Sequence, residues 1–230
     1  MENILSSFVI DYIRKIWDDS PEAVTTPVNM LRYKSYWNRA NCIFIHVPKA
    51  AGTSVSQALY GKHLRHFSAQ EINRYAKREF QSLFSFGIVR NPWARVLSAY
   101  RFAKIGHTGS MGIKHPEQYE IPEFESFERF LTEWLSEKDP LKIDLVFQPQ
   151  SKFVCDQQGD IMLDYIGRLE NLTEVENDLS DRLEQKIIFP RLNSTSNESD
   201  DYQSAYKSQD MRDIVGNAYA ADIQTFGYSF

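Results

Sequence analysis

The sequence predicts an α/β fold, a three-layer sandwich around a mainly parallel central sheet, with a helix added at the N-terminus. Three observations predict it. Residues 42–47 and 83–89 are short, continuous apolar runs, the pattern of strands buried on both faces. Each run leads through a turn into a helical apolar pattern, and strands alternate with helices along the chain. The 230 residues, 42% hydrophobic and 25% charged, suffice for one domain with a full core.

The elements follow in order. Ile4, Leu5, Phe8, Val9, Tyr12, Ile13, Ile16 and Trp17 recur at helical spacing, which predicts a helix packed on the domain. Residues 18–40 carry Pro21 and Pro27 and read as a linker. The chain thus divides into 1–40, helix and linker, and 41–230, the main domain. After the strand at 42–47, residues 48–52 break the pattern and a helix runs from Thr53 to Leu59. Ser68 with Glu71 forms a capping box that opens a helix to about residue 79. The strand at 83–89 meets an Asn91-Pro92 turn, with Pro92 suited to the start of a helix over 93–103. Three glycines and two prolines make 104–122 a loop. Phe124, Phe127, Phe130, Leu131 and Trp134 mark an amphipathic helix. A strand at 161–166 precedes a second capping box, Thr173 with Glu176, opening a helix to about residue 185. A brief strand at 187–189, an irregular polar stretch at 190–207 and a helix at 209–225, stopped by Gly227, complete the chain.

Composition narrows the function. The net charge is −5 and the pI about 5.6, with no basic run to build a nucleic-acid face. No stretch approaches the ~20 apolar residues of a membrane span, and Glu2 and Asp11 break the order of a secretion signal. Cys42 and Cys155 have no metal-ligand spacing and predict a reducing, cytoplasmic compartment. The sequons at Asn171, Asn193 and Asn197 are then incidental. The 15 Phe and 12 Tyr suit a phenylalanine-rich core beside an aromatic-lined cleft.

Two strand-to-helix corners carry the chemistry. In the first, Pro48-Lys49-Ala50-Ala51-Gly52-Thr53-Ser54 joins a strand to a helix, whose N-terminal N–H groups and dipole suit a phosphate or sulfate. Gly52 and the two alanines permit close approach, Lys49 adds a mobile charge, and Thr53 and Ser54 add hydroxyls. A Walker A loop places its lysine after the last glycine; here Lys49 precedes Gly52, so the magnesium logic of that loop does not carry over. Alone, such a loop is equally a tight structural turn. The second corner, Val89-Arg90-Asn91-Pro92-Trp93-Ala94-Arg95, repeats the architecture, with Arg90 at a strand end able to fork onto a phosphate. Ser98 follows two turns into the helix, facing Ala94 and Arg101. Alone, Arg90 reads as a salt-bridge partner and Ser98 as a solvated position.

Together the two segments resemble the PAPS-dependent sulfotransferases, PAPS being 3′-phosphoadenosine 5′-phosphosulfate. The match is to the second such family, which contains Golgi glycan enzymes and shorter bacterial proteins. Residues 46–54 resemble its 5′-phosphosulfate loop, and 89–95 with Ser98 its 3′-phosphate motif. Residues 156–159 and 164–172, Leu192-Asn193 and Phe226-Gly227-Tyr228 resemble its later core, so the likeness covers roughly 41–230. The resemblance implies a P-loop-like fold that binds PAPS as co-substrate without a metal. It implies that Lys49, Ala51, Gly52, Thr53 and Ser54 hold the 5′ end, Arg90 and Ser98 the 3′-phosphate, and that Asn193 and Ser194 close over the nucleotide.

Catalysis of this kind rests on positioning and electrostatics, with Lys49 beside the departing oxygen. His66 is the candidate general base, between the corners and just before the capped helix; an exposed loop histidine is the equal alternative. His63 is the fallback, His46 reads as a support for the first loop by a hydrogen bond, and His107 and His115 as solvated. Glu71 belongs to the capping box, and Glu170 is a remote base better explained by an ion pair with Arg168. The expected acceptor is a neutral or cationic small metabolite or a sugar rather than a polyanion, walled by 104–122 and 190–207. The oligomeric state stays open. Rival readings are a small-molecule kinase and a non-catalytic nucleotide- or glycan-binding module.

Overall fold

The computed structural model describes residues 22–108, 111–113, 115–190 and 201–230. The helix expected over 4–17, Asn193 and Ser194 lie outside the described residues.

The linker expected over 18–40 is, from Glu22 on, a helix: α1 spans Glu22–Ala40 and contains Pro27. Proline costs that helix one backbone bond. The loss is offset by a buried face, Met30, Tyr33, Trp37 and Ala40, at three- and four-residue spacing. Each large apolar side chain so buried contributes about 1.5–3 kcal/mol. That periodicity was present in the sequence, and the two prolines masked it.

Three strands form a parallel sheet in the order β1 (Cys42–Ile45), β2 (Phe84–Val89), β5 (Tyr165–Arg168). Ile45 pairs with Gly87 and Val89 with Arg168, so all three strands end at one edge. α1 packs on β1, and α8 (Leu172–Arg182) on β5. The apolar strands at the first two positions are as expected, because a sheet covered on both faces needs no polar alternation. α2 (Gly52–Tyr60) follows β1, and its last residue returns to it: the Phe44 N–H donates to the Tyr60 hydroxyl at 2.8 Å. The capping box is formed: the Ser68 hydroxyl accepts from the Glu71 N–H and opens α3 (Ala69–Tyr75), followed by α4 (Lys77–Ser82).

α5 (Pro92–Ile105) carries a second, aromatic core. Tyr100, Tyr119, Phe124, Phe130, Trp134 and Phe147 pack there, with tilted and edge-on rings 4.8–6.4 Å apart. The expected loop at 104–122 contains a small hairpin, β3 (His107–Thr108) with β4 (Met111–Gly112). The expected amphipathic helix is broken in pitch. α6 (Phe127–Arg129) passes into a π turn over Phe130–Trp134 and a 3₁₀ turn over Leu135–Glu137, an arrangement that turns Phe130, Leu131 and Leu135 into the aromatic core. α7 spans Ser151–Val154.

Further expectations are corrected by long-range contacts. The strand at 161–166 is displaced to β5, beginning at Tyr165. Thr173 caps nothing: α8 starts at Leu172, and Glu176 accepts instead from the Phe189 N–H at 2.7 Å. Residues 187–189 form no strand; the Ile187 N–H donates to Ser180 Oγ, so this segment is tied to α8 by side chains. The last helix divides at Tyr219 into α9 (Gln209–Ala218) and α10 (Ala220–Phe226), because the buried Tyr219 hydroxyl reaches the Phe147 carbonyl at 2.6 Å. Gly227 ends α10 in the left-handed conformation, as expected.

Candidate active site

The first corner leaves β1 at Ile45. Lys49 and Ala51 both lie in the left-handed region, φ 65° and 59°, a conformation costly for residues other than glycine. Strain of this kind concentrates where a backbone must present groups to a ligand. Ala51, the residue before α2, makes no side-chain cap to the first turn of that helix. Gly52 is required by space: a Cβ there would lie 1.7 Å from His46 Cδ2. His46 therefore supports the loop through the packing of its ring; the hydrogen bond expected of it is not seen at its Nδ1, which has no partner among the described residues. Thr53 and Ser54 occupy the first turn of α2, both partly exposed.

Lys49 Nζ sits 4.2 Å from the centre of the Phe102 ring. Burial, then the neighbouring Arg90 guanidinium, brings its pKa down to about 8. The two cations of the two corners thus repel one another across the edge of the sheet. An anion between them would relieve both, which fits a ligand carrying phosphate or sulfate at each end. Phe102 follows Ser98 by one helical turn, so both lie on the same face of α5, the face that meets Lys49.

The second corner is built differently. Asn91 Oδ1 accepts from the Trp93 and Ala94 N–H groups, and Pro92 has no N–H, so this helix start is already capped. The expectation that it repeats the first corner is corrected here: Asn91 already caps the helix start that Ala51 leaves without a side-chain cap at the first corner. Gln150, fully buried, brackets the Arg90 peptide, its Oε1 accepting from Arg90 N–H and its Nε2 donating to Arg90 C=O, both at 2.8 Å. Asp222, also buried, holds Gln150 by accepting from the N–H groups of Gln150 and Ser151. Glu170 accepts from the Asn91 N–H at 2.6 Å and the Tyr228 hydroxyl at 3.0 Å. It is neither paired with Arg168 as expected nor free to act as a base; Arg168 donates to the Phe226 carbonyl and stacks over Tyr228. Arg95 is fully buried and donates to the Val146 and Gln148 carbonyls, tying α5 to that segment.

His66, the candidate base, lies against the first corner. Its ring is 3.9 Å from that of His46, and its Nδ1 is 2.9 Å from the His46 carbonyl. A carbonyl only accepts, so Nδ1 carries the proton and Nε2 keeps its lone pair. Burial brings the His66 pKa down to about 4, which keeps the ring neutral near pH 7. His63, the fallback, stands 4.9 Å from His46, and the structure brings all three together. His115 is exposed beside Glu117.

A family model described as the sulfotransferase family matches residues 38–229. The chain belongs to the sulfotransferase family. No curated protein and no solved structure matches it. Sulfuryl transfer is accordingly the chemistry this sulfotransferase domain supports, on a parallel-sheet α/β fold. Among the described residues no helix is long and apolar enough to cross a membrane.

Sequence reasoning missed the supports of this site. Phe102 reads from the sequence as one more apolar helix residue. Gln150 and Asp222 lie about 60 and 130 residues from Arg90 in a chain whose spacing carries no trace of the contact. Glu170 stands out in the sequence, but its partners, the Asn91 N–H and the Tyr228 hydroxyl, do not.

Proposed function

We propose that this protein transfers the sulfuryl group of PAPS to a hydroxyl or amine of a small metabolite or sugar. The observation that carries the reading is the placement of an uncapped helix start with Lys49, and of Arg90, at the ends of two adjacent parallel strands. Such an edge suits a nucleotide with anionic groups at two ends. Lys49, Ala51, Gly52, Thr53 and Ser54 would bind the 5′-phosphosulfate. Arg90 and Ser98 would bind the 3′-phosphate, with Asn193 and Ser194 over the nucleotide.

In the reaction the acceptor oxygen or nitrogen bonds to sulfur while the bond from sulfur to the 5′-phosphate oxygen breaks. Lys49 stabilises the charge that builds on that departing oxygen. His66 Nε2 takes the acceptor proton, and the products are a sulfate ester or sulfamate and 3′-phosphoadenosine 5′-phosphate (PAP). A neutral or cationic small metabolite or a sugar suits the acidic balance of the chain, and two buried free thiols suit a reducing, cytoplasmic setting.

PAPS turnover across a panel of small alcohols, amines and sugars tests the reaction. Thermal shift with PAP against ATP tests the nucleotide. Stabilisation by PAP and product formation on the panel are expected. Stabilisation by ATP with magnesium and none by PAP would point to a kinase, and PAP binding without turnover to a binding module.

A further inference from the structure

Three histidines converge behind the first corner: His46 just past β1, and His63 and His66 on the segment between α2 and α3. One ligand nitrogen from each lies within 4.8 Å of the others. His66 has the arrangement of an imidazole prepared to ligate, since its Nδ1–H is held by a backbone carbonyl and its Nε2 lone pair is left open. His46 is 5% exposed, and its buried Nδ1 has no hydrogen-bond partner among the described residues. A buried polar atom in that state asks for a partner. His63 is exposed and closes the cluster from the solvent side.

We propose that His46, His63 and His66 bind one transition-metal ion of the zinc class, and that filling this site slows sulfuryl transfer. Three neutral imidazoles, without carboxylates, suit Zn²⁺, Ni²⁺ or Cu²⁺ and are poor ligands for Mg²⁺ or Ca²⁺. Zinc–nitrogen bonds of about 2.0–2.1 Å require the nitrogens to draw closer than they stand. His63 and His66 can supply that movement, because residues 63–67 form neither helix nor strand. A fourth position stays open to water on the His63 side. The metal is here a brake and has no part in the transfer step. The slowing rests on the reading of His66 as base, whose Nε2 lone pair the ion would occupy.

Calorimetric titration of the full chain with Zn²⁺, after chelation and without nucleotide, tests the site. One ion per chain is expected, with Mg²⁺ inert. His63→Ala, at an exposed position, is expected to weaken binding ~10-fold or more, and His66→Gln likewise, while His115→Ala leaves it unchanged. Absence of one-to-one binding, or binding undiminished in both cluster variants, would overturn the site. Because this titration contains no nucleotide, its outcome is independent of whether PAPS is the donor. Turnover with and without added Zn²⁺ then tests the brake: inhibition that His63→Ala relieves supports it, and turnover indifferent to zinc overturns it.

Discussion

The two corners lie side by side at one edge of a sheet, yet they are made by opposite means. The first is local. Its helix start has no side-chain cap, its backbone is held left-handed at Lys49 and Ala51, and the ring of His46, six residues earlier, packs against Gly52. The second is assembled from distant chain. Its helix start is already capped by Asn91, Gln150 and Glu170 hold its peptides, the Ser229 carbonyl accepts from the Asn91 side chain, and Asp222 holds Gln150 in turn. The difference teaches that similar strand–turn–helix segments can be held by different means, short-range packing in one and hydrogen bonds from distant chain in the other.

The sharpest way to break this comparison is at Lys49. Lys49→Ala is expected to lower PAPS turnover ~10²–10³-fold, the usual cost of one preorganised donor at a developing charge. Near-normal turnover would remove it from the reaction. Gly52→Ala comes next. Its Cβ would overlap the His46 ring, so the loop must shift, with a cost of about 1–3 kcal/mol for overpacking. Loss of the PAP-induced thermal shift together with a lower melting temperature is expected, and an unchanged shift would show that the loop geometry is dispensable.

The second corner should fail in recognition. Gln150→Leu leaves the N–H and C=O of Arg90 without their partner, at about 1–3 kcal/mol for each buried group. The preference for PAP over adenosine 5′-phosphate, read as a ratio of dissociation constants, is expected to shrink ~10-fold. An equal loss for both nucleotides would assign Gln150 to the fold as a whole. The smallest effect is in pH. Burial and Arg90 bring Lys49 to about 8, so free protein above that pH has lost the proton that an anion favours. Nucleotide binding is expected to take up a proton and weaken as pH rises past 8, by up to ~10-fold per unit for one linked proton. Calorimetry in buffers of different ionisation enthalpy measures the uptake, and Lys49→Arg, which keeps its charge, should abolish it.

Much of the first corner was legible in the chain, because an apolar run, a glycine and a lysine within seven residues are local facts. So were the strands β1 and β2 and the Ser68 cap. α1 was not, because Pro21 and Pro27 argue locally for a linker and only packing against β1 overrules them. The Thr173 cap failed for a related reason: Glu176 has one carboxylate, and the distant Phe189 N–H holds it. The partners of Arg90 and Glu170 were equally invisible, since a buried hydrogen bond leaves no mark on sequence spacing.

By itself the sequence determined the alternation of strand and helix, the two strand-to-helix segments and the family they imply. Those depend on short-range periodicity and on residue types whose chemistry is the same wherever they fold. The tertiary structure alone decided that the corners share one edge, that Lys49 and Arg90 repel each other there, and that three histidines separated along the chain form a single cluster. Proximity across a fold comes from parallel register and loop closure, and neither is written in the order of neighbouring residues.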